Sequence, residues 1–237
     1  MRTGEPRRPS PGELRAVVVD VDGTLTDGSR RMSLDALAAL RSVEDSGVSV
    51  MLATGNVLPV AYALSTYMGF GGPVIAENGG VVCHRQRVWM LGDPSRPKDA
   101  WELLRDEMPG AERLFTDRWR ETEVGLRHGV DLGRVRELVG HLGVEVQTTG
   151  WAVHIMAEGM DKAVGVAKAC EILGTEMARV AAVGDSENDI RMMRECGWGV
   201  AVGNADERTR GAATHVVSAR HGDGVMEALE WLRLVPE

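Results

Sequence analysis

The chain has 237 residues, 43% hydrophobic, 26% charged and only 4% aromatic, with a formal net charge of −8. That length holds one large domain, or a domain and a smaller companion, and the balance is that of a globular chain whose core is filled by Val, Ala, Leu and Met. The acidic surplus argues against a nucleic-acid partner, which needs a basic face, and obliges any anionic substrate to find positive charge gathered locally.

Three scattered cysteines, Cys83, Cys170 and Cys196, are too few for a disulfide framework. A reduced, cytoplasmic setting is the expectation. The histidines show no metal-ligand spacing. No apolar run approaches the roughly 18 residues of a membrane span, so no membrane partner is expected. Residues 1–13, with Arg2, Arg7, Arg8 and several prolines, precede no apolar leader core and read as a disordered tail.

Residues 16–19 form a β-branched apolar run ending at Asp20, the pattern of a strand buried on both faces of a parallel sheet. Ser33 then offers an N-cap to a helix carrying Leu34, Leu37, Leu40 and Val43, which Gly47 stops. A second buried strand, 48–53, ends at Thr54-Gly55-Asn56. Pro59 suits the first turn of a helix to about 68. A third strand, 73–76, ends at Glu77-Asn78-Gly79-Gly80.

The pattern then changes. A hairpin over 81–90, a helix over 97–108, strands at 112–116 and 120–126, a helix over 131–141, and strands at 144–148 and 151–156 read as helix-strand-strand twice over: a small antiparallel sheet backed by two helices. The alternation resumes with a helix over 162–173, a strand over 179–183 ending at Gly184-Asp185, a helix over 187–196, a strand over 198–202 and a helix over 225–232. The fold class expected is therefore α/β: a Rossmann-like parallel sheet, 14–82 and 158–237, interrupted by a small α+β cap domain, 83–157. Ligands of such sheets bind beyond the carboxyl ends of the strands, where Asp20, Thr54 and Asp185 stand.

Asp20-Val21-Asp22-Gly23-Thr24 places two carboxylates beside a tight turn, and carboxylates that close repel unless a cation lies between them. Oxygen ligands of this kind suit Mg²⁺. Asp185 and Asp189, in Gly184-Asp185-Ser186-Glu187-Asn188-Asp189, complete a candidate acidic metal site. Lys162, opening a helix just before the strand that bears Asp185, is the candidate counter-charge. Thr54 offers a hydroxyl, and neighbouring backbone N–H groups add donors.

Taken together, Asp20 to Thr24, Thr54, Lys162 and Gly184 to Asp189 resemble the four motifs of the haloacid dehalogenase superfamily of phosphohydrolases. The position of the insert resembles the Cof-type and sucrose-phosphatase-like branch, and its small size is similar to the cap of archaeal phosphoglycolate phosphatases. The resemblance implies that Asp20 is a nucleophile forming an aspartyl-phosphate and that Asp22 is the acid and base. It further implies that Asp20, Asp22 through its carbonyl, Asp185 and Asp189 hold Mg²⁺, and that Thr54, Gly55, Lys162 and Asn188 bind the phosphoryl group. The implied substrate is a small phosphorylated metabolite, 2-phosphoglycolate ahead of a sugar phosphate; a homodimer is compatible with the sequence. Among the insert's polar residues, Arg118, Arg120, Arg127, His128 and His154 are candidates to meet the substrate. A phosphomutase and a non-enzymatic phosphate receiver are the competing readings. The receiver has no need of Asp22 or of an insert, and no G-x-G-x-x-G follows the first strand to favour a dinucleotide-binding domain.

Overall fold

The computed structural model describes residues 7–235. Strand β1 (Ala16–Asp20) is wholly buried. Its Val17 and Val19 pack into one apolar cluster and Ala16 and Val18 into another, so both faces of the strand need apolar side chains. Helix α1 (Leu34–Asp45) begins at Ser33, whose hydroxyl accepts from the Ala36 N–H at 3.3 Å. Strand β2 (Ser49–Ala53) follows. Helix α2 (Leu58–Met68) has Pro59 in its first turn and ends on the left-handed Gly69, φ 79°. Strand β3 (Val74–Ala76) continues into the hairpin β4 (Val81–His84) and β5 (Arg87–Met90).

An insert follows, made of α3 (Ser95–Glu107), β6 (Glu123–Arg127), α4 (Leu132–Val139), β7 (Val144–Thr148) and β8 (Ala152–Ala157). Ala100 and Leu104 of α3 and Val135 and Val139 of α4 cover one face of an antiparallel sheet ordered β6-β8-β7. The chain then returns through α5 (Lys162–Leu173), β9 (Val180–Gly184), α6 (Ile190–Glu195), β10 (Trp198–Ala201), α7 (Glu207–Ala212), β11 (His215–Val216) and α8 (His221–Trp231).

The large sheet has the order β11-β10-β9-β1-β2-β3-β4-β5. It is parallel from β11 to β3, and only the β4–β5 hairpin is antiparallel. After β1 the chain winds toward β2 and β3, and after the insert it winds from β9 toward β10. The carboxyl end of β1 is thus the point where the strand order reverses, the place where such sheets bind ligands.

Several expectations are corrected. The boundary expected at residue 83 falls inside the hairpin, whose strands both pair into the large sheet because Val81, Val82 and Cys83 are buried beside β3. The tail expected over 1–13 is held against the fold from residue 7 on. Its residues 1–6 lie outside the described residues, but Arg8 donates to the carbonyls of Trp231 and Glu230 at 2.7 and 2.8 Å, and Trp198 Nε1 donates to the Arg7 carbonyl at 3.0 Å.

The strand expected at 112–116 is reduced to an Arg113–Leu126 bridge and a short turn, Phe115–Trp119. Buried Asp117 explains this: its carboxylate accepts from the Gly125 N–H at 2.5 Å, substituting a side chain for the next rung of the ladder. Helix α8 begins at His221 rather than at 225, since Gly222 and Gly224 weaken the helical signal; a Cβ on Gly222 would lie 2.1 Å from that of Ser33, so glycine is what lets α8 pack there. Helix α7 and strand β11 are too short to stand out in the sequence.

Candidate active site

Lys162 organises the site. It opens α5, capped by the Asp161 carboxylate, which accepts from the Ala163 N–H at 2.8 Å, and its side chain is completely buried. Its Nζ donates to Asp20 Oδ1 and to Asp189 Oδ1, both at 2.6 Å. Asp189 uses its other oxygen to accept from the backbone N–H groups of Asp185 and Ser186 at 3.0 and 3.1 Å. Asp185 stands just beyond β9, receives the Thr24 hydroxyl at 3.2 Å and the Asn204 amide at 3.1 Å, and lies against Gly23. Gly23 has φ 96°, and a Cβ there would lie 2.4 Å from Asp185 Oδ2, so the turn after Asp22 admits only glycine.

One carboxylate oxygen each from Asp20, Asp185 and Asp189 lie within 4.8 Å of one another. Asp20 Oδ2 is buried without a hydrogen-bond partner. Three convergent acids with an oxygen unanswered fit a hard divalent cation. The Asp22 carboxylate is not one of this trio; it receives the Asn56 amide at 3.2 Å and lies 3.0 Å from Arg30 Nη2.

Burial pushes the Asp20 carboxyl well above its ordinary range; Lys162 pulls it back, and Asp189 and Asp185 push it further up. Burial, with Asp189 adding to it, raises Asp185 to about 7. Burial disfavours the charge on Lys162, but Asp189 and Asp20 more than offset this and the ammonium titrates above its ordinary value. Without a cation, one ammonium faces more negative charge than it can neutralise.

Above Asp20 lies a cavity of about 240 Å³. Asp20, Asp22, Arg30, Gly55, Asn56, Ser186 and Asn188 line it from the large sheet, and Arg120, Trp151 and His154 from the insert. Thr54, at the end of β2, is buried and its hydroxyl accepts from the Asn56 N–H at 3.0 Å. Gly55 allows the close approach of the insert, since a Cβ there would meet Asn78 and His154 at 3.1 Å. Asn188 accepts from the Ser186 hydroxyl at 2.7 Å and donates to Asn78 Oδ1 at 3.0 Å. Asp20, Asp22, Thr54, Gly55, Lys162, Asp185, Asn188 and Asp189 thus all come to one end of the large sheet.

Of the insert's five polar candidates, Arg120 and His154 reach the cavity, whereas Arg118, Arg127 and His128 are exposed and do not line it. Arg120 is paired with Glu123 and Asp117 and donates to the Gly55 carbonyl at 2.9 Å. Glu123 also accepts from the Asn78 amide at 2.9 Å and meets His154 Nδ1 at 3.0 Å. Burial lowers His154 to about 3, so its imidazole is neutral.

Several residues escaped the sequence reading. Glu77, fully buried, accepts from the Glu121 and Thr122 N–H groups and the Thr122 hydroxyl at 2.8–3.1 Å, fastening the insert to the end of β3. His221 Nδ1 and the Asn204 amide meet the Gly23 carbonyl at 2.7 and 3.0 Å. Arg30 and Trp151 face one another across the cavity mouth. The only sequence signal for any of these was the position of Glu77-Asn78 at a strand end.

An aspartate at the switch point of a doubly wound sheet, bound to a buried lysine among a trio of acids and beneath a cavity shared with an insert, is an arrangement suited to phosphoryl transfer. The model of the haloacid dehalogenase-like hydrolases matches residues 17–104 and 134–229, and the chain belongs to that family. It is 43% identical over 216 residues to a phosphoglycolate phosphatase of Methanothermobacter thermautotrophicus, covering 91% of this chain and 97% of that protein. It is 39% identical to a phosphoglycolate phosphatase of Archaeoglobus fulgidus, covering 93% and 98%. The crystal structure of Thermoplasma acidophilum 0175 superposes with a TM-score of 0.87 at 29% identity, covering 94% of this chain and 99% of the other.

Proposed function

We propose that this chain is a Mg²⁺-dependent phosphomonoester hydrolase that works through an aspartyl-phosphate on Asp20, with 2-phosphoglycolate as its substrate. One observation carries the reading: Lys162 holds Asp20 Oδ1 at 2.6 Å and leaves Oδ2 unpaired beneath a small cavity. The relatives named for phosphoglycolate support the substrate, as does a volume of about 240 Å³, below the roughly 300–1,000 Å³ of pockets that take larger ligands. Among the described residues no helix is long and apolar enough to cross a membrane.

Asp20 attacks phosphorus, and the bond to the ester oxygen breaks. Asp22, at the cavity wall, gives a proton to that oxygen, and glycolate leaves. Asp22, now a carboxylate, takes a proton from the water that attacks the aspartyl-phosphate, releasing phosphate and restoring the Asp20 carboxylate and the protonated Asp22. Lys162, Thr54 and the N–H groups around Gly55 face the negative charge of the phosphoryl oxygens. Asn188, fixed by Ser186 and Asn78, orients the wall between them. Mg²⁺ would be held by Asp20, Asp185 and the Asp22 carbonyl, with Asp189 behind them, and would supply the positive charge that this acid-rich site lacks. The insert covers the cavity and excludes water.

The test is phosphate release from 2-phosphoglycolate and from a panel of sugar phosphates, with Mg²⁺ or with EDTA, by the chain and by its Asp20→Asn variant. Release that needs Mg²⁺, favours 2-phosphoglycolate and disappears in the variant is expected. Activity retained by Asp20→Asn removes Asp20 from the nucleophile role, and a sugar phosphate turned over faster overturns the substrate.

A further inference from the structure

Two arginines line the cavity, and they differ in what is already bound to them. Arg120 has a side chain only 2% exposed, lies between the buried carboxylates of Asp117 and Glu123, and donates to Gly55. Acids already surround it, so a further anion there would be repelled. Lys162 lies beneath the cavity, bound to Asp20 and Asp189.

Arg30 is different. Its loop is pinned at the root: Asp27 Oδ1 accepts from the Ser29 and Arg31 N–H groups at 2.8 and 2.9 Å, the Asp27 N–H donates to the Arg31 carbonyl at 3.0 Å, and Thr26 and Met32 form a bridge. Arg30 itself takes a left-handed φ of 64°, turning its side chain toward the cavity mouth. The side chain is 51% exposed and has one carboxylate partner, Asp22 Oδ1 at 3.0 Å from Nη2. Its guanidinium lies 5.4 Å from the ring centroid of Trp151, a cation–π contact made by the insert.

Asp22 is the residue proposed above to protonate the leaving oxygen. A guanidinium beside Asp22 therefore stands at the leaving-group end of the substrate, away from the phosphoryl end served by Lys162. In 2-phosphoglycolate the carboxylate is two bonds from that oxygen. We propose that Arg30 is the specificity-determining residue for an anionic leaving group: its planar fork leaves Asp22 and takes the substrate carboxylate in a two-point contact. This rests on the phosphatase reading but not on phosphoglycolate being the substrate. Any phosphate ester with a carboxylate at the same reach would be read in the same way.

The experiment compares kcat/KM for 2-phosphoglycolate and for 2-hydroxyethyl phosphate, the same skeleton without the carboxylate, in the wild-type chain, Arg30→Gln, Arg30→Lys and Arg120→Lys, all with Mg²⁺. The wild-type preference for the carboxylate ester should fall by about 10- to 100-fold in Arg30→Gln, as for a lost charged hydrogen-bonded contact. The loss should lie mainly in KM, and Arg30→Lys should recover part of it. An equal fall on both esters, an unchanged ratio, or a collapse seen in Arg120→Lys and not in Arg30→Gln would overturn the proposal. If the wild-type chain prefers some other carboxylate-bearing ester, and Arg30→Gln abolishes that preference, Arg30 keeps its role while the phosphoglycolate assignment falls. A wild-type chain that releases phosphate without regard to leaving-group charge refutes the Arg30 role and leaves the phosphatase reading intact. One that releases none from any ester refutes both.

Discussion

Replacing Lys162 by methionine keeps the length of the side chain and removes the cation between Asp20 and Asp189. Both carboxylates lose a 2.6 Å partner at a buried point, Asp189 wholly enclosed and Asp20 open only to the cavity. Breaking a buried ion pair by deleting one partner costs about 3–5 kcal/mol. For a chain of this size that is a fall in Tm of about 6–20 °C. The pH dependence follows from Asp185, whose carboxyl titrates near 7 in the fold. A raised acid pKa means that the folded state binds the proton more tightly. The cost of its charge is absent below the ordinary 3.8 and complete above about 7. Asp20 is displaced in the same direction. At acid pH, protons therefore take over the neutralising work of the ammonium. Thermal melts in EDTA should show the large deficit of Lys162→Met at pH 8 and less than half of it at pH 5. A deficit of the same size at both values, or none at pH 8, would refute the account of Lys162 as the charge that balances the site. In the presence of Mg²⁺, kcat should fall by about 10²–10³-fold, as for a removed transition-state donor.

The rise in Tm produced by Mg²⁺ should itself grow from pH 5.5 to pH 8, because a cation competes with the protons on Asp20 and Asp185; a pH-independent rise would place the cation elsewhere. Gly23→Ala should leave the far-ultraviolet circular dichroism unchanged while abolishing both activity and the Mg²⁺-dependent rise in Tm, since a Cβ at φ 96° lies 2.4 Å from Asp185 Oδ2. Retention of both would show that the turn can shift without cost.

The alternation of strands and helices was legible because its cause is local. A strand with both faces covered must be apolar at every position, as residues 16–19 are, and a helix needs a cap and a stop, as at Ser33 and Gly47. The helix expected over 162–173 is α5, which Asp161 caps at its start and the left-handed Gly174, φ 65°, ends. The gathering of Asp20, Thr54 and Asp185 was legible too, since parallel neighbours present their carboxyl ends on one edge. Where local signals mislead, a tertiary contact intervenes: Asp117 accepts from Gly125 and ends the pairing expected at 112–116, and in the first turn of α8 Gly222 lies against Ser33 and Gly224 against the Ala219 carbonyl and Val202.

What the chain carries in its order of residues is therefore the sheet, its buried strands and the acids that crown them, because these follow from periodicity and from the topology of parallel strands. Which cation faces which acid was decided only in three dimensions. Arg30 meets Asp22 and Trp151, Glu77 meets Thr122, and Asn188 meets Asn78, across separations along the chain that no spacing rule spans. Arginines 118, 120 and 127 look alike as residues in a polar stretch, and only the fold buries one among acids and leaves the others in solvent, while turning an arginine from another loop toward the mouth of the cavity.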